Sequence, residues 1–132
     1  MLKTSQQLVA EAKSLIREVS VQQLAERLKD HHIVFIDVRE PEEFVAGHVD
    51  RAVNYPRGVL EMKIHQHPAT AAQCDATAAL AHLAQQPVYL MCRSGARSAL
   101  AALSLQQMGF TQVFSVAGGF QAWLDNGLPV EN

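Results

Sequence analysis

Ile33-Val-Phe-Ile-Asp-Val38 is a nearly continuous apolar run without polar alternation. A strand of this kind has to be covered on both faces, which is the condition of a parallel sheet whose strands are joined by helical crossovers. Val88-Tyr-Leu-Met91, following Pro87, has the same character. Ala52-Val-Asn-Tyr55, closed by Pro56, and Gln112-Val-Phe-Ser-Val116 read as further strands. Gln22 to Lys29, Thr77 to Gln85 and Ser98 to Met108 are rich in the helix formers Ala, Leu and Gln, so they are the expected crossovers. Gly109 supplies a helix stop. Gly118-Gly119 supplies a tight turn without the G-x-G-x-x-G spacing of a dinucleotide site, and leads into a short helix in which Trp123 and Leu124 read as core.

At the N-terminus, Leu8, Val9, Ala12, Leu15, Ile16 and Val19 recur at spacings of three and four, which predicts an amphipathic helix over 5–19. Either it packs on the rest of the chain or it meets a partner; packing is the simpler reading. Ser20-Val-Gln-Gln23 can form a capping box that starts the next helix. The expected organisation is therefore an N-terminal helix, residues 1–19, packed on one α/β domain, residues 20–132. The chain has 48% hydrophobic and 18% charged residues, enough for one real core. Lys and Arg number 11 against 13 Asp and Glu, a net charge of −2 with no basic run, which argues against a nucleic-acid surface. No stretch approaches the ~20 apolar residues of a membrane span. Without a secretion-signal pattern at its start, the chain is expected to be cytoplasmic.

Cys92 stands where the Val88–Met91 strand ends and turns through Gly95 into an alanine-rich helix. A loop wrapping onto a helix N-terminus points free backbone N–H groups inward and adds the positive end of the helix dipole. A thiol in that cradle is expected to have thiolate character. Cys74, in a poorly defined helix-like stretch, reads as an incidental small residue. The two cysteines lack C-x-x-C or His/Cys ligand spacing, so neither zinc nor a disulfide is indicated. Asp37 closes its strand at the edge where parallel sheets present functional loops, and would cap nearby backbone, hold an arginine or shape the cysteine loop. Arg39 and Glu43 flank Pro41, which suits a first helical turn, and are expected to pair. Gly47 is expected to end that helix in the left-handed conformation. His48 reads as a hydrogen-bonded structural histidine in preference to a general base. Arg57 is either a second anion contact or a solvated loop arginine. His65 and His67, beside Pro68, read as surface loop and not as metal ligands.

Cys92-Arg93-Ser94-Gly95-Ala96-Arg97 resembles the active-site loop of single-domain rhodaneses, the thiosulfate-type sulfurtransferases. Cysteine phosphatases use a longer loop, C-x-x-x-x-x-R, and here Ser98 occupies the position of their arginine. The resemblance extends through Asp37-Val-Arg-Glu40, Glu43-Phe44, Gly47-His-Val49, Ala52-Val-Asn-Tyr-Pro56, Gly118-Gly119 and Trp123. It covers roughly Ser20 to Val130. It implies a mostly parallel sheet of about five strands with helices on both faces and the cysteine loop at its carboxyl edge.

The activity so implied is transfer of sulfane sulfur from thiosulfate or a related anionic donor, through a Cys92 persulfide, to a thiol or cyanide-like acceptor. Inward N–H groups from Arg93 to Ser98 would stabilise the sulfur anions. Arg93 and Arg97 would both attract the anionic donor, Arg97 foremost in stabilising the loop and Arg93 foremost in facing the donor, with Arg57 as a further contact and Asp37 and Arg39 in support. Ser98 would either bond into the loop or cap the helix. No cofactor or metal is required. A persulfide carrier serving partner proteins is the alternative; a phosphatase or arsenate reductase fits the loop length less well.

Overall fold

A computed structural model describes all residues, Met1–Asn132. Its strands are β1 (Arg17–Val19), β2 (Val34–Asp37), β3 (Val53–Asn54), β4 (Val88–Met91) and β5 (Val113–Val116). The helices are α1 (Ser5–Leu15), α2 (Val21–Arg27), α3 (Pro41–Ala46), α4 (Leu60–Lys63), α5 (Ala76–Leu83), α6 (Ala96–Gln107) and α7 (Gly119–Asp125). Every strand pairing is parallel, in the order β1-β5-β4-β2-β3.

The pleat divides the apolar runs between two cores, because successive strand residues point to opposite faces. Val34, Ile36, Val88, Leu90, Cys92 and Val113 face one side, where Leu60 of α4, Leu83 of α5 and Ala101, Ala102 and Leu105 of α6 cover them. Phe35, Tyr89, Met91 and Val116 face the other, under Val21 and Leu24 of α2 and Phe120 and Trp123 of α7. This double cover explains why β2 and β4 carry no polar alternation. Each contributes four buried residues in succession.

The capping box at Ser20 and Gln23 is present, with Gln23 N–H donating to Ser20 Oγ at 3.0 Å and Ser20 N–H to Gln23 Oε1 at 2.8 Å. The first helix differs from its expected extent. It stops at Leu15, and residues 17–19 turn into β1, pairing Arg17 with Phe114 and Val19 with Val116. Pairing outweighs helical periodicity here, because β1 satisfies the backbone of β5 that would otherwise be an open edge. Helix α1 itself packs on α6.

Gly47 is extended, with φ 161°, and not left-handed. The chain leaves α3 straight because His48 is bonded in both directions to Glu131, at 2.9 and 2.8 Å. Leu124, expected in the core, lies on the outer side of α7 and is exposed. Trp123 beside it is buried and donates its indole N–H to Pro129 O at 2.8 Å. His67 is buried as well, where a surface loop was expected. Its Nδ1 accepts Ala69 N–H at 3.1 Å within a run of 3₁₀ turns, and burial lowers its pKa from 6.5 to about 4.

Candidate active site

Cys92 directly follows β4 and is almost wholly buried, with its thiol sulfur at the floor of the turn into α6. Gly95 N–H donates to Sγ at 3.1 Å. Gly95 can aim its amide this way because it sits at φ 100°, in the left-handed region that a side chain disfavours. Helix α6 begins at Ala96, two residues before the position read from composition, and the first amide donating into it is Ala99 N–H to Gly95 O at 3.2 Å. The N–H groups of Ala96, Arg97 and Ser98 are therefore without intrahelical acceptors and form the positive end of the dipole of the helix that the cysteine loop leads into. The arrangement suits an anion on or next to the sulfur.

The loop is fixed from behind by α7. Phe120 N–H donates to Cys92 O at 2.8 Å and Gln121 N–H to Arg93 O at 3.0 Å, so the first turn of one helix holds the carbonyls of the loop that starts another. This contact needs Gly119, at φ 57°: a Cβ there would stand 2.4 Å from Cys92 O and 2.7 Å from Arg93 O. Gly118-Gly119 is thus more than a turn. The glycine pair was visible in the sequence, but its docking against the cysteine loop was not.

Ser98 does not cap α6, since Gly95 occupies that position. Its hydroxyl points inward, 3.5 Å from Cys92 Sγ and 2.8 Å from Ser115 Oγ. All three side chains are buried. Ser115 escaped the sequence reading, although a serine inside an otherwise apolar buried strand is the kind of signal that marks a polar contact.

The arginines divide the work differently from expectation. Arg39 does not pair with Glu43. It turns inward to Asp37, with Nε 3.0 and 3.1 Å from the two carboxylate oxygens and Nη2 2.8 Å from Oδ2. Nη2 also donates to Gly47 O at 2.8 Å, and the guanidinium lies 4.2 Å above the Phe120 ring. The physical reason is burial: Asp37 has no solvent access, and a carboxylate there requires a partner that is buried with it. Since β2 runs beside β4, the pair braces the sheet edge next to Cys92.

Glu43 instead crosses to Arg97, with bonds of 2.7 and 3.0 Å. Hydrogen bonds from Arg97 pull the Glu43 carboxyl down from 4.5 to about 2, aided by Glu40 N–H and opposed by partial burial. The same pairing pushes the Arg97 guanidinium up. Arg93 is exposed, with only a 3.4 Å contact to Gln121. Ser94 is exposed beside it, while Ala96 is half-buried. Arg57, considered as an anion contact, is paired with Glu61 at 3.0 Å, and Glu61 also accepts the Ser104 hydroxyl of α6 at 2.5 Å. His48 is structural: Nδ1 lies 2.8 Å from Phe44 O and the ring stacks on Phe44.

Residues 20–126 match the family model described as Rhodanese-like domain. A thiosulfate sulfurtransferase of the Arabidopsis thaliana chloroplast is 38% identical over 101 residues, covering 74% of this chain and 78% of the relative. A sulfurtransferase of Allochromatium vinosum is 28% identical over 117 residues, covering 88% and 95%. Among solved structures, a Rhodopseudomonas palustris protein of unknown function, described as a possible tyrosine phosphatase, superposes with a TM-score of 0.81 at 28% identity. That superposition covers 99% of this chain and 96% of the other. A rhodanese-related protein of Thermoplasma volcanium superposes with a TM-score of 0.68 at 28% identity, covering 87% and 97%.

Proposed function

The chain belongs to the rhodanese-like domain family, with sulfurtransferases among its relatives, and from that premise we propose that it transfers sulfane sulfur through a persulfide on Cys92. The observation that carries the reading is the thiol itself. It lies at the floor of the turn from β4 into the N-terminus of α6 and takes a hydrogen bond from Gly95 N–H at 3.1 Å.

In the first displacement the Cys92 thiolate attacks the outer sulfur of thiosulfate. The new S–S bond forms as the old one breaks, and sulfite leaves with the electron pair. In the second, a nucleophile such as cyanide or a thiolate attacks the outer persulfide sulfur, and the Cys92 thiolate leaves with its electron pair. Two displacements at sulfur replace one harder encounter between two anions. The amides of the loop and first turn of α6 stabilise the charge that moves between Sγ and the outer sulfur without reorganising. Arg93, the exposed guanidinium beside Cys92, attracts the anionic donor, while Arg97 is held by Glu43 and fixes the loop. No step requires a metal or organic cofactor.

Loop length and the state of Arg97 both oppose a phosphatase reading, despite the description of the Rhodopseudomonas neighbour. The position that carries the phosphate-gripping arginine in phosphatases is Ser98, and the nearby Arg97 is already committed to a carboxylate.

The test is the intact-protein mass after incubation with thiosulfate, for the native chain and for Cys92→Ser, followed by cyanide. Gain of one sulfur atom only when Cys92 is present, and its loss with thiocyanate release, is expected. A protein persulfide donor loading Cys92 when thiosulfate does not would make the chain a carrier between partner proteins. Failure of both donors would overturn sulfur transfer.

A further inference from the structure

Strand β5 carries one polar side chain among apolar ones, and the pleat sends it toward Cys92. Val113 faces the core under α6, so Ser115, two residues on, shares that face, and Ser115 pairs in register with Leu90, two residues before Cys92. Ser115 has no solvent access. Its Oγ is 2.8 Å from Ser98 Oγ, which is 3.5 Å from Cys92 Sγ. A buried hydroxyl needs a partner, and here it has one that touches the reacting sulfur.

We infer that Ser115 is a positioning residue for the reaction, one that acts through Ser98 to set the hydrogen-bond direction received by the Cys92 sulfur. The inference rests on Cys92 being the reacting thiol. When Cys92 carries its proton, S–H donates to Ser98 Oγ and Ser98 donates to Ser115. When that proton leaves to water, Sγ can only accept. Ser98 must then turn its single O–H toward sulfur, and its oxygen is left to accept from Ser115. A hydroxyl has one proton, so Ser98 serves the anion best when Ser115 donates to it. The same direction serves the persulfide stage, in which Cys92 Sγ again only accepts.

Other charged or ionisable groups lie on the elements that border the cysteine loop. Arg97 lies on α6 with Glu43 from α3, and Arg93 is in the loop. Asp37 ends β2, in register with Met91, and its partner Arg39 follows the strand, while Tyr55 and Arg57 follow β3. None of them is bonded to Ser98 or Ser115. Removal of the Ser115 hydroxyl therefore leaves their charges in place.

The experiment is the ultraviolet absorbance of the Cys92 thiolate against pH, in a Cys74→Ala background with the Cys92→Ser signal subtracted. Ser115→Ala is expected to raise the midpoint by about half a pH unit, the size expected when one neutral hydrogen bond favouring the anion is lost. Ser98→Ala raises it too, and adding Ser115→Ala to Ser98→Ala raises it no further, because the effect passes through Ser98. The isosteric pair Ser115→Thr and Ser115→Val supplies a second comparison that cancels the added volume, with the higher midpoint expected for Val. A midpoint unmoved by Ser115→Ala, equal Thr and Val midpoints, or full additivity with Ser98→Ala would overturn the inference and reduce Ser115 to a packing residue. The absorbance does not depend on a sulfur donor. A failure of persulfide formation with the midpoint shift intact would therefore sink the sulfur-transfer reading alone.

Discussion

Arg97 grips Glu43 with two hydrogen bonds, of 2.7 and 3.0 Å, joining the first turn of α6 to the helix that follows β2. The contact turns what resembled a second substrate arginine into a clasp across the rim of the cysteine loop. It also leaves Arg93, next to Cys92 in the loop, as an exposed guanidinium without a carboxylate partner.

Acid should open this clasp only well below the ordinary carboxylate range. The Glu43 carboxyl titrates at about 2 in the native state against an ordinary value of 4.5, so the native state binds fewer protons over that interval. The stabilisation is fully present above 4.5 and is lost as pH falls toward 2. Because both side chains are about one-third exposed, water screens the pair, and we expect Glu43→Gln to cost only about 0.5–1 kcal/mol at neutral pH. Urea unfolding at several pH values checks this: the native and variant stabilities should converge near pH 2.

Donor affinity should follow the free arginine. Arg93→Ala is expected to raise the KM for thiosulfate about 5- to 10-fold with a smaller change in kcat, and to flatten its dependence on salt. Arg97→Ala leaves the Glu43 carboxylate unbalanced beside an anionic substrate, so it should also raise KM, and Arg97→Ala with Glu43→Gln should recover part of the loss. Steady-state kinetics at two ionic strengths distinguish these cases; an Arg93 variant with native KM would show that donor capture occurs elsewhere.

Gly119→Ala should damage the site from outside it. The added Cβ would meet Cys92 O at 2.4 Å, and the position already holds φ 57°. A backbone clash of this kind costs roughly 2–4 kcal/mol and is relieved only by moving the loop or α7. Thermal unfolding should report the loss of stability, and the yield of Cys92 persulfide should fall with it. Gly58→Ala, where a Cβ meets nothing within 4 Å, is the control expected to change neither.

A second acid-sensitive element lies away from the thiol. Burial holds His67 neutral, with its pKa lowered from 6.5 to about 4. Below 6.5 the unfolded chain binds the proton first, so this contribution is fully present above 6.5 and falls away down to about 4, by up to about 3 kcal/mol. Asn at this position can present an acceptor to Ala69 N–H without titrating. His67→Asn should therefore remove the loss of stability between pH 6.5 and 4 while leaving the lower-pH loss at Glu43 in place.

Much of the fold was legible because its signals are local. Unbroken apolar runs marked β2 and β4, the Ser20–Gln23 box fixed the start of α2, and a cysteine at the end of a strand before a glycine and a helix marked the site. The misreadings share a different origin. Residues 17–19 have helical periodicity, but the open edge of β5 takes them as a strand. Arg39 and Glu43 have the spacing of a helical ion pair, but Arg39 is claimed by buried Asp37 and Glu43 by Arg97. Gly47 has the residue type of a left-handed cap, but pairing of His48 with Glu131 draws the chain out.

By itself the sequence determined the parallel α/β architecture, the place of Cys92 at a strand-to-helix turn and the length of its loop, since each depends on neighbours in the chain. Tertiary structure alone decided which arginine is committed and which is free, that α7 holds the Cys92 and Arg93 carbonyls, and that Ser115 stands behind Ser98. Those relationships join residues from separate strands and helices, and several chemically acceptable partners exist for each. Burial and distance select among them, and neither is written in local order.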